Sequence, residues 1–342
     1  DAANGTHRPR YRARLYDHTG TMVDGALPVV DGNVTEDADG TRLSVNIPTQ
    51  ATPQLLDARL LPAGGSVEVQ WQFDGVTGWA TLSHCTIVSS AIARPESDWV
   101  LACADRGRRI ALNDLDPGHD PGTGTYADII TGLIRRTFPD AVVEASGQAT
   151  VLPYPATADG VSGDPWALAR TLAATAGAAV REDTARRVFV IADIPDIGTP
   201  VDHLAVGDGG CLTRYTIQHE LGYNRAVVRW MDEDGGSLLR QGFAVDDRPD
   251  SPVALSRIGT RVTTRASVDI AAGQQPGRVE ADAAAARLLR EGNARMRVAN
   301  LVHAQRPWLQ PGDTITATYL GGPTEPLLVR EVQVPLTTGE EQ

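Results

Sequence analysis

Leu309-Gln310-Pro311-Gly312-Asp313-Thr314-Ile315 decides how the last third of this 342-residue chain is read. Pro311 presets one backbone angle, Gly312 supplies the freedom of a tight turn, and Thr314-Ile315 restarts an extended run. The segment therefore reads as a turn feeding a closing hairpin. Around it, Arg295 to Val302, Thr314 to Tyr319 and Leu327 to Val334 read as strands. Pro276 to Gly292 is the longest helical run, alanine-rich, with Val279, Ala283, Ala286 and Leu289 along one face. Two groups of strands joined by one helix read as a framework for assembly with copies of the same chain. No polar cluster of the kind a reaction needs accompanies them.

Moving toward the N-terminus, Leu212 to His219, Tyr223 to Met231 and Leu238 to Val245 are further strands. Asp232-Glu233-Asp234-Gly235-Gly236 is a charged hairpin tip between the last two. The loop Asp246 to Pro252 leads to a strand at Thr260 to Ala266. The segment before these strands has a different character. Asp116-Pro117-Gly118 and Asp120-Pro121-Gly122-Thr123-Gly124 are too rich in Pro and Gly to be helical. Thr125 then caps a helix with Asp128 at its third position, and Pro139 ends it; Ile129, Ile130, Leu133 and Ile134 mark its inner face. A second helix has Asp164 at the cap, Pro165 at the first position and Gly177 at the exit. Its stripe is Trp166, Ala169, Leu172, Ala173 and Ala176. Ala178 to Arg181 and Val188 to Ala192 form a hairpin around Asp183-Thr184, completing a small α/β module.

The first ~110 residues read as strands alone. Arg10 to Tyr16 is the first, and Leu43-Ser44-Val45-Asn46-Ile47 and Val67-Glu68-Val69-Gln70-Trp71 alternate strictly, as half-buried strands do. Trp79 to Ile92 and Trp99 to Leu112 are two longer runs. Asp24-Gly25, Asp31-Gly32 and Gly64-Gly65 are turn signals. Five or more strands without a helix predict a barrel or sandwich.

Composition narrows the function classes. All 31 basic residues are Arg, so chemistry that needs a Lys Schiff base or a P-loop Lys is excluded. The net charge of -12 argues against wrapping nucleic acid, which needs a basic footprint. No apolar run approaches the ~20 residues of a membrane span, so membrane insertion is not expected. Asp1 to Arg14 has no apolar core, so export on a signal peptide is not expected either.

Candidate chemical groups each have a plain structural reading. Cys85, Cys103 and Cys211 are an odd, widely spaced set that reads as buried reduced thiols, with Cys85 and Cys103 placed to face each other on neighbouring strands. His7, His18, His84, His119, His203, His219 and His303 are scattered singly. Neither His119-Asp120 nor His219-Glu220 has metal-ligand spacing, so no metal or cofactor site is drawn. Asp31, Asn33, Glu36, Asp37 and Asp39 suggest calcium, but Glu36 stands where a calcium loop needs its central Gly. Ser162, in Gly160-Val161-Ser162-Gly163-Asp164, comes nearest to a nucleophile elbow, yet no buried strand precedes it. No catalytic residue is assigned. With aromatic residues at 5% the chain is a poor candidate for a sugar-binding groove.

Four segments, in their order and spacing, carry a resemblance across nearly the whole chain. Leu27-Pro28-Val29-Val30-Asp31-Gly32-Asn33-Val34-Thr35-Glu36-Asp37 resembles the opening of minor tail proteins of actinobacterial siphophages. Trp166-Ala167-Leu168-Ala169-Arg170-Thr171-Leu172-Ala173 to Gly177, with the hairpin turning at Asp183, resembles the module inserted in tail and baseplate hubs. Tyr223-Asn224-Arg225-Ala226-Val227-Val228-Arg229-Trp230 is similar to the strand that re-enters their first barrel, and Leu309 to Ile315 to their final-hairpin turn. The resemblance implies a β-rich α+β fold with two tail-tube-like β-barrels and an inserted α/β module. The expected divisions are 1–115 for the first barrel (completed by 206–245), 116–205 for the module, and 246–342 for the second barrel with helix 276–292.

The resemblance further implies a non-enzymatic structural protein of the virion tail tip, assembled in the host cytoplasm. It would be a homotrimer whose ring adapts a sixfold tube to a threefold tip and lets DNA pass without specific nucleic-acid binding. The implied partners are a distal tail or tail-tube protein, a tape-measure protein and a central fibre or spike. Two alternatives stay open: a tail-tip cell-wall hydrolase, and a receptor- or carbohydrate-binding tail protein.

Overall fold

The computed structural model describes residues 9–37, 40–48, 62, 64–73, 75–92, 98–154, 161–193, 197–206, 211–232, 238–249, 251–270, 277–294, 296–320, 322 and 324–337. The first strands are β1 (Pro9–Tyr16), β2 (Met22–Pro28), β3 (Asp31–Asp37), β4 (Gly40–Pro48), β5 (Ser66–Phe73), β6 (Ala80–Ile92) and β7 (Asp98–Ala104). Then come α1 (Gly107–Ala111), β8 (Leu115–His119), α2 (Tyr126–Thr137), β9 (Val143–Ala145), β10 (Val161–Gly163), α3 (Pro165–Thr175), β11 (Ala178–Asp183) and β12 (Val188–Asp193). The last part holds β13 (Asp202–Ala205), β14 (Leu212–His219), β15 (Arg225–Asp232), β16 (Leu238–Val245), α4 (Leu255–Ile258) and β17 (Thr263–Ile270). It ends with α5 (Arg278–Ala294), β18 (Arg297–His303), β19 (Thr314–Thr318), β20 (Thr324–Leu328) and β21 (Val332–Pro335). The chain is a β-rich α+β protein.

Strict alternation builds the largest sheet. Tyr11, Ala13 and Leu15 of β1, Leu43, Val45 and Ile47 of β4, and Trp99, Leu101 and Cys103 of β7 all point into one core. The sheet is antiparallel, in the order β2-β1-β5-β6-β7-β4-β3-β21. Its final strand comes from the far end of the chain. The described strands of 206–245 lie outside this ladder and β21 joins it, with Val334 opposite Val34 and Val332 opposite Glu36. The Val332/Val334 alternation suits the inward face of β3, while β14, β15 and β16 take their hydrogen bonds elsewhere. Cys211 and Leu212 still pack into the same core.

The other strands after residue 200 divide into three smaller sheets, β13-β19-β20, β14-β18 and β16-β15-β17. All three draw on strands before residue 246 as well as after it. Helix α5 covers the third sheet and buries Ala281 and Ala285 against Val228 and Trp230, while Leu289 is buried beside the neighbouring cleft. The expected stripe is thus displaced: Val279 is exposed, and Ala283 and Ala286 are only half-buried. Gly242 sets this phase, because a Cβ there would lie 1.8 Å from the carbonyl oxygen of Ala281. The helix backbone rests directly on the strand at that point.

The inserted module has its own core of Ile110, Tyr126, Ile130, Ile134, Trp166, Phe189 and their neighbours. Both expected helix starts are present. The Thr125 hydroxyl accepts from the Asp128 N–H while the Asp128 carboxylate accepts from the Thr125 N–H, and Asp164 accepts from the N–H groups of Trp166 and Ala167. The strand run expected to reach Leu112 stops at Ala104, and α1 follows it. A Cβ on Gly107 would sit 2.5 Å from the Trp166 indole, so glycine is what lets α1 approach α3. The Asp24-Gly25 signal lies within β2, where the ladder with β1 shifts register and Ala26 takes a φ of 60°. Asp31-Gly32 falls at the start of β3.

Candidate functional site

The densest polar arrangement joins the module to the large sheet. Glu182 occupies the buried phase of β11, one residue beyond the expected hairpin strand, and its carboxylate meets Arg106, the residue that precedes α1. The Arg106 Nε donates to Glu182 Oε1 at 2.5 Å, and its backbone N–H donates to Oε2 at 2.6 Å. The Nη2 donates to the carbonyl of Arg187 at 2.6 Å, a residue held at a φ of 56° in the hairpin turn. The guanidinium lies 4.6 Å from the Phe189 ring centre and 5.3 Å from that of Phe138.

A second layer surrounds this pair. Asp105 accepts from the Thr41 N–H at 3.1 Å. Glu36 accepts from the hydroxyls of Thr41 and Thr184, and Thr184 also contacts Ser83 at 2.9 Å. Burial pushes the carboxyls of Asp105 and Glu36 above their ordinary range, and raises Glu182 to about 7 against the pull of Arg106. Burial, with the nearby Arg187 and Arg106, lowers His84 to about 4; its Nε2 lies 2.9 Å from the Ser66 hydroxyl. These groups are turned toward one another, so what the arrangement does is anchor the module to the sheet.

A cleft of about 1310 Å³ opens between β18 on one side and β20 and β21 on the other. Its apolar floor includes Leu204, Leu301, Leu309, Ile315 and Leu327, and Arg214 and Arg290 are among the charged residues that line it.

The residues singled out from sequence are dispersed. His119 on β8 stands opposite Val161, and His219 ends β14 opposite Arg297. His203 contacts the Thr316 hydroxyl at 2.8 Å, and His303 is buried, which lowers its pKa. His7 lies outside the described residues. Cys85 and Cys103 lie on the adjacent strands β6 and β7, but Cys103 stands opposite Ile87, two residues from Cys85. Both are free thiols raised by burial, and Cys211 is free and buried as well.

The acids considered for calcium are strung along β3, with Asp39 outside the described residues. Ser162 is exposed on the short strand β10. Asp232 ends β15, while Glu233 and Asp234 lie outside the described residues. Among the described residues no group of three or more His, Cys, Asp or Glu could hold a metal ion, and no helix is long and apolar enough to cross a membrane. Arg106 and Glu182 were not foreseen. The signal available was the alternation Ala178, Val180, Glu182, which places the carboxylate on the inward face.

No family model and no curated protein matches the chain. Its fold does match solved structures. A tail protein from Neisseria meningitidis is similar with a TM-score of 0.63 at 12% identity, over 97% of this chain and 94% of that one. The 43 kDa tail protein of prophage MuSo2 from Shewanella oneidensis gives a TM-score of 0.59 at 13% identity, over 96% and 95%. A component of the type VI secretion system of E. coli, described as structurally similar to the T4 bacteriophage tail proteins gp27 and gp5, gives 0.56 at 11% identity, over 96% and 74%. Across nearly its whole length, then, the chain has the fold seen in phage tail proteins.

Proposed function

We propose that the chain is a structural tail hub of a bacteriophage or phage-like particle, located at the virion tail tip. Three copies form a ring in which each supplies two tube-like β units, so that a threefold assembly meets a sixfold tail tube. The first unit spans roughly 1–115 and gains β21, the module lies near 116–205, and the remaining strands with α5 make the second unit. The partners on this reading are further copies, a distal tail or tail-tube protein, a tape-measure protein and a central fibre or spike.

The observation that carries the proposal is the end-to-end match in fold to a tail protein, 97% of this chain against 94% of the other. The net charge of -12 supports passage of DNA through the ring without capture by ion pairs. The reading is of a protein without catalysis, and the self-satisfied hydrogen bonds of the Arg106–Glu182 cluster agree with it.

Native mass spectrometry with negative-stain imaging of the purified chain tests the proposal. A threefold ring is expected; a monomer that persists at the highest soluble concentration, with and without the tail-tube protein, refutes it.

A further inference from the structure

The cleft between β18 and β20 is bounded in an unusual way. Every residue from Met296 to His303 lines it, and so does every residue from Glu325 to Gln333. Successive side chains of a strand point to opposite faces. A cleft that touches all of them in turn runs along the edge of the strand and not across one face.

Each bordering strand has a single ladder partner among the described residues. β18 pairs with β14, β20 with β19, and β21 with β3. The edges turned toward the cleft therefore carry N–H and C=O groups without a ladder partner, the arrangement that invites an added strand. The ribbon β14-β18 is only two strands wide, and Thr213 to Thr216 are exposed on both its faces. A two-stranded ribbon is marginal by itself and gains from a third strand.

Charge identifies the occupant. Arg214 and Arg290 line the cleft, are exposed, and their guanidinium groups have no hydrogen bond or ion pair among the described residues. Arg297, also in the lining, is paired with Glu325. In the lining Arg214, Arg248, Arg290, Arg297 and Arg330 outnumber Asp246, Glu325 and Glu331, and this excess of positive charge beside an apolar floor, in a chain of net charge -12, favours an acidic ligand with apolar residues between its charges.

We propose that this cleft is an acceptor slot for an extended segment of a partner protein in which apolar and acidic residues alternate. The segment's backbone would pair with β18 on one side and with β20 and β21 on the other. Its apolar side chains would pack on the half-buried Val298, Leu301 and Leu327, above the buried Leu204, Leu309 and Ile315, and its carboxylates would meet Arg214 and Arg290. The slot is a property of the single chain, so it stands or falls independently of the ring.

The test uses the full chain and a labelled eight-residue peptide of alternating Val and Glu, followed by fluorescence anisotropy, with hydrogen exchange read at 297–303 and 324–328. The expected result is saturable binding that weakens at least tenfold in Arg290→Glu and in Arg214→Glu, with amides of both segments slowed by the peptide. Circular dichroism establishes that the variants remain folded. A peptide of alternating Val and Arg is expected to bind the wild type poorly and to regain binding in Arg290→Glu. Equal binding of the two peptides to the wild type, no saturable binding, or unchanged exchange at both edges overturns the proposal. Slowing of the same amides on concentrating the protein without peptide places a second copy in the slot and overturns the choice of partner.

Discussion

Replacing Arg106 with Met keeps an apolar stem between Phe138 and Phe189 but removes the guanidinium from Glu182. The carboxylate then sits at 2% exposure with the backbone N–H of residue 106 as its remaining donor from that site. Removing one partner of a buried ion pair costs about 3–5 kcal/mol. Because the 2.6 Å bond from the backbone N–H survives a side-chain change, the lower end, about 3 kcal/mol, is expected. At 1.36 kcal/mol per decade this is an increase of about 150-fold in the opening equilibrium of the module. Native-state hydrogen exchange of the β11 and β12 amides reads that quantity directly. The double variant Arg106→Met/Glu182→Leu removes both charges and should recover to within about 1 kcal/mol of wild type, since replacing a whole buried pair by apolar groups is often neutral. Wild-type exchange in the single variant, or a double variant as unstable as the single, would refute the view that this pair anchors the module.

His84 is held neutral in the fold at about pH 4 against an ordinary 6.5, so its contribution is present above pH 6.5 and is lost as the pH falls toward 4. Wild type should lose up to about 3 kcal/mol relative to His84→Gln across that interval, measured by urea unfolding at each pH. Gly242→Ala places a methyl group 1.8 Å from the Ala281 carbonyl, so α5 must lift from its sheet; a loss of at least about 2 kcal/mol is expected in thermal unfolding, and an unchanged midpoint would contradict the packing described. Thr125→Ala removes one half of the α2 capping box and should cost about 1 kcal/mol, with faster exchange confined to the first turn of that helix.

The parts of the fold that were legible in the sequence are those fixed by neighbours along the chain. Thr125 with Asp128, and Asp164 with Pro165, mark helix starts because a cap is a bond between residues two or three apart. The alternation in Leu43 to Ile47 fixes the buried face of β4 in the same local way. What escaped depends on distant partners. Nothing in Val332 to Pro335 says that it lies beside β3, since the ladder is chosen by the whole sheet. The phase of α5 was misjudged because Gly242, on another element, decides which alanines face inward. The open cleft escaped for the same reason, as strand edges are invisible until the pairings are known. Glu182 was partly within reach, for its register matches Ala178 and Val180, but its partner Arg106 is 76 residues away.

The pairing of β21 with β3 has a consequence for synthesis. Val334 is made 300 residues after Val34, which at about 5–20 residues per second is a wait of roughly 15–60 s on the ribosome. During that interval the module, whose contacts are short-range, can fold, while the outer rim of the first sheet stands bare to the crowded cytosol. Asp31 and Asp37 lie along that rim, and repulsion between these acids on nascent chains would deter neighbours on one polysome from zipping together before each chain delivers its own closing strand.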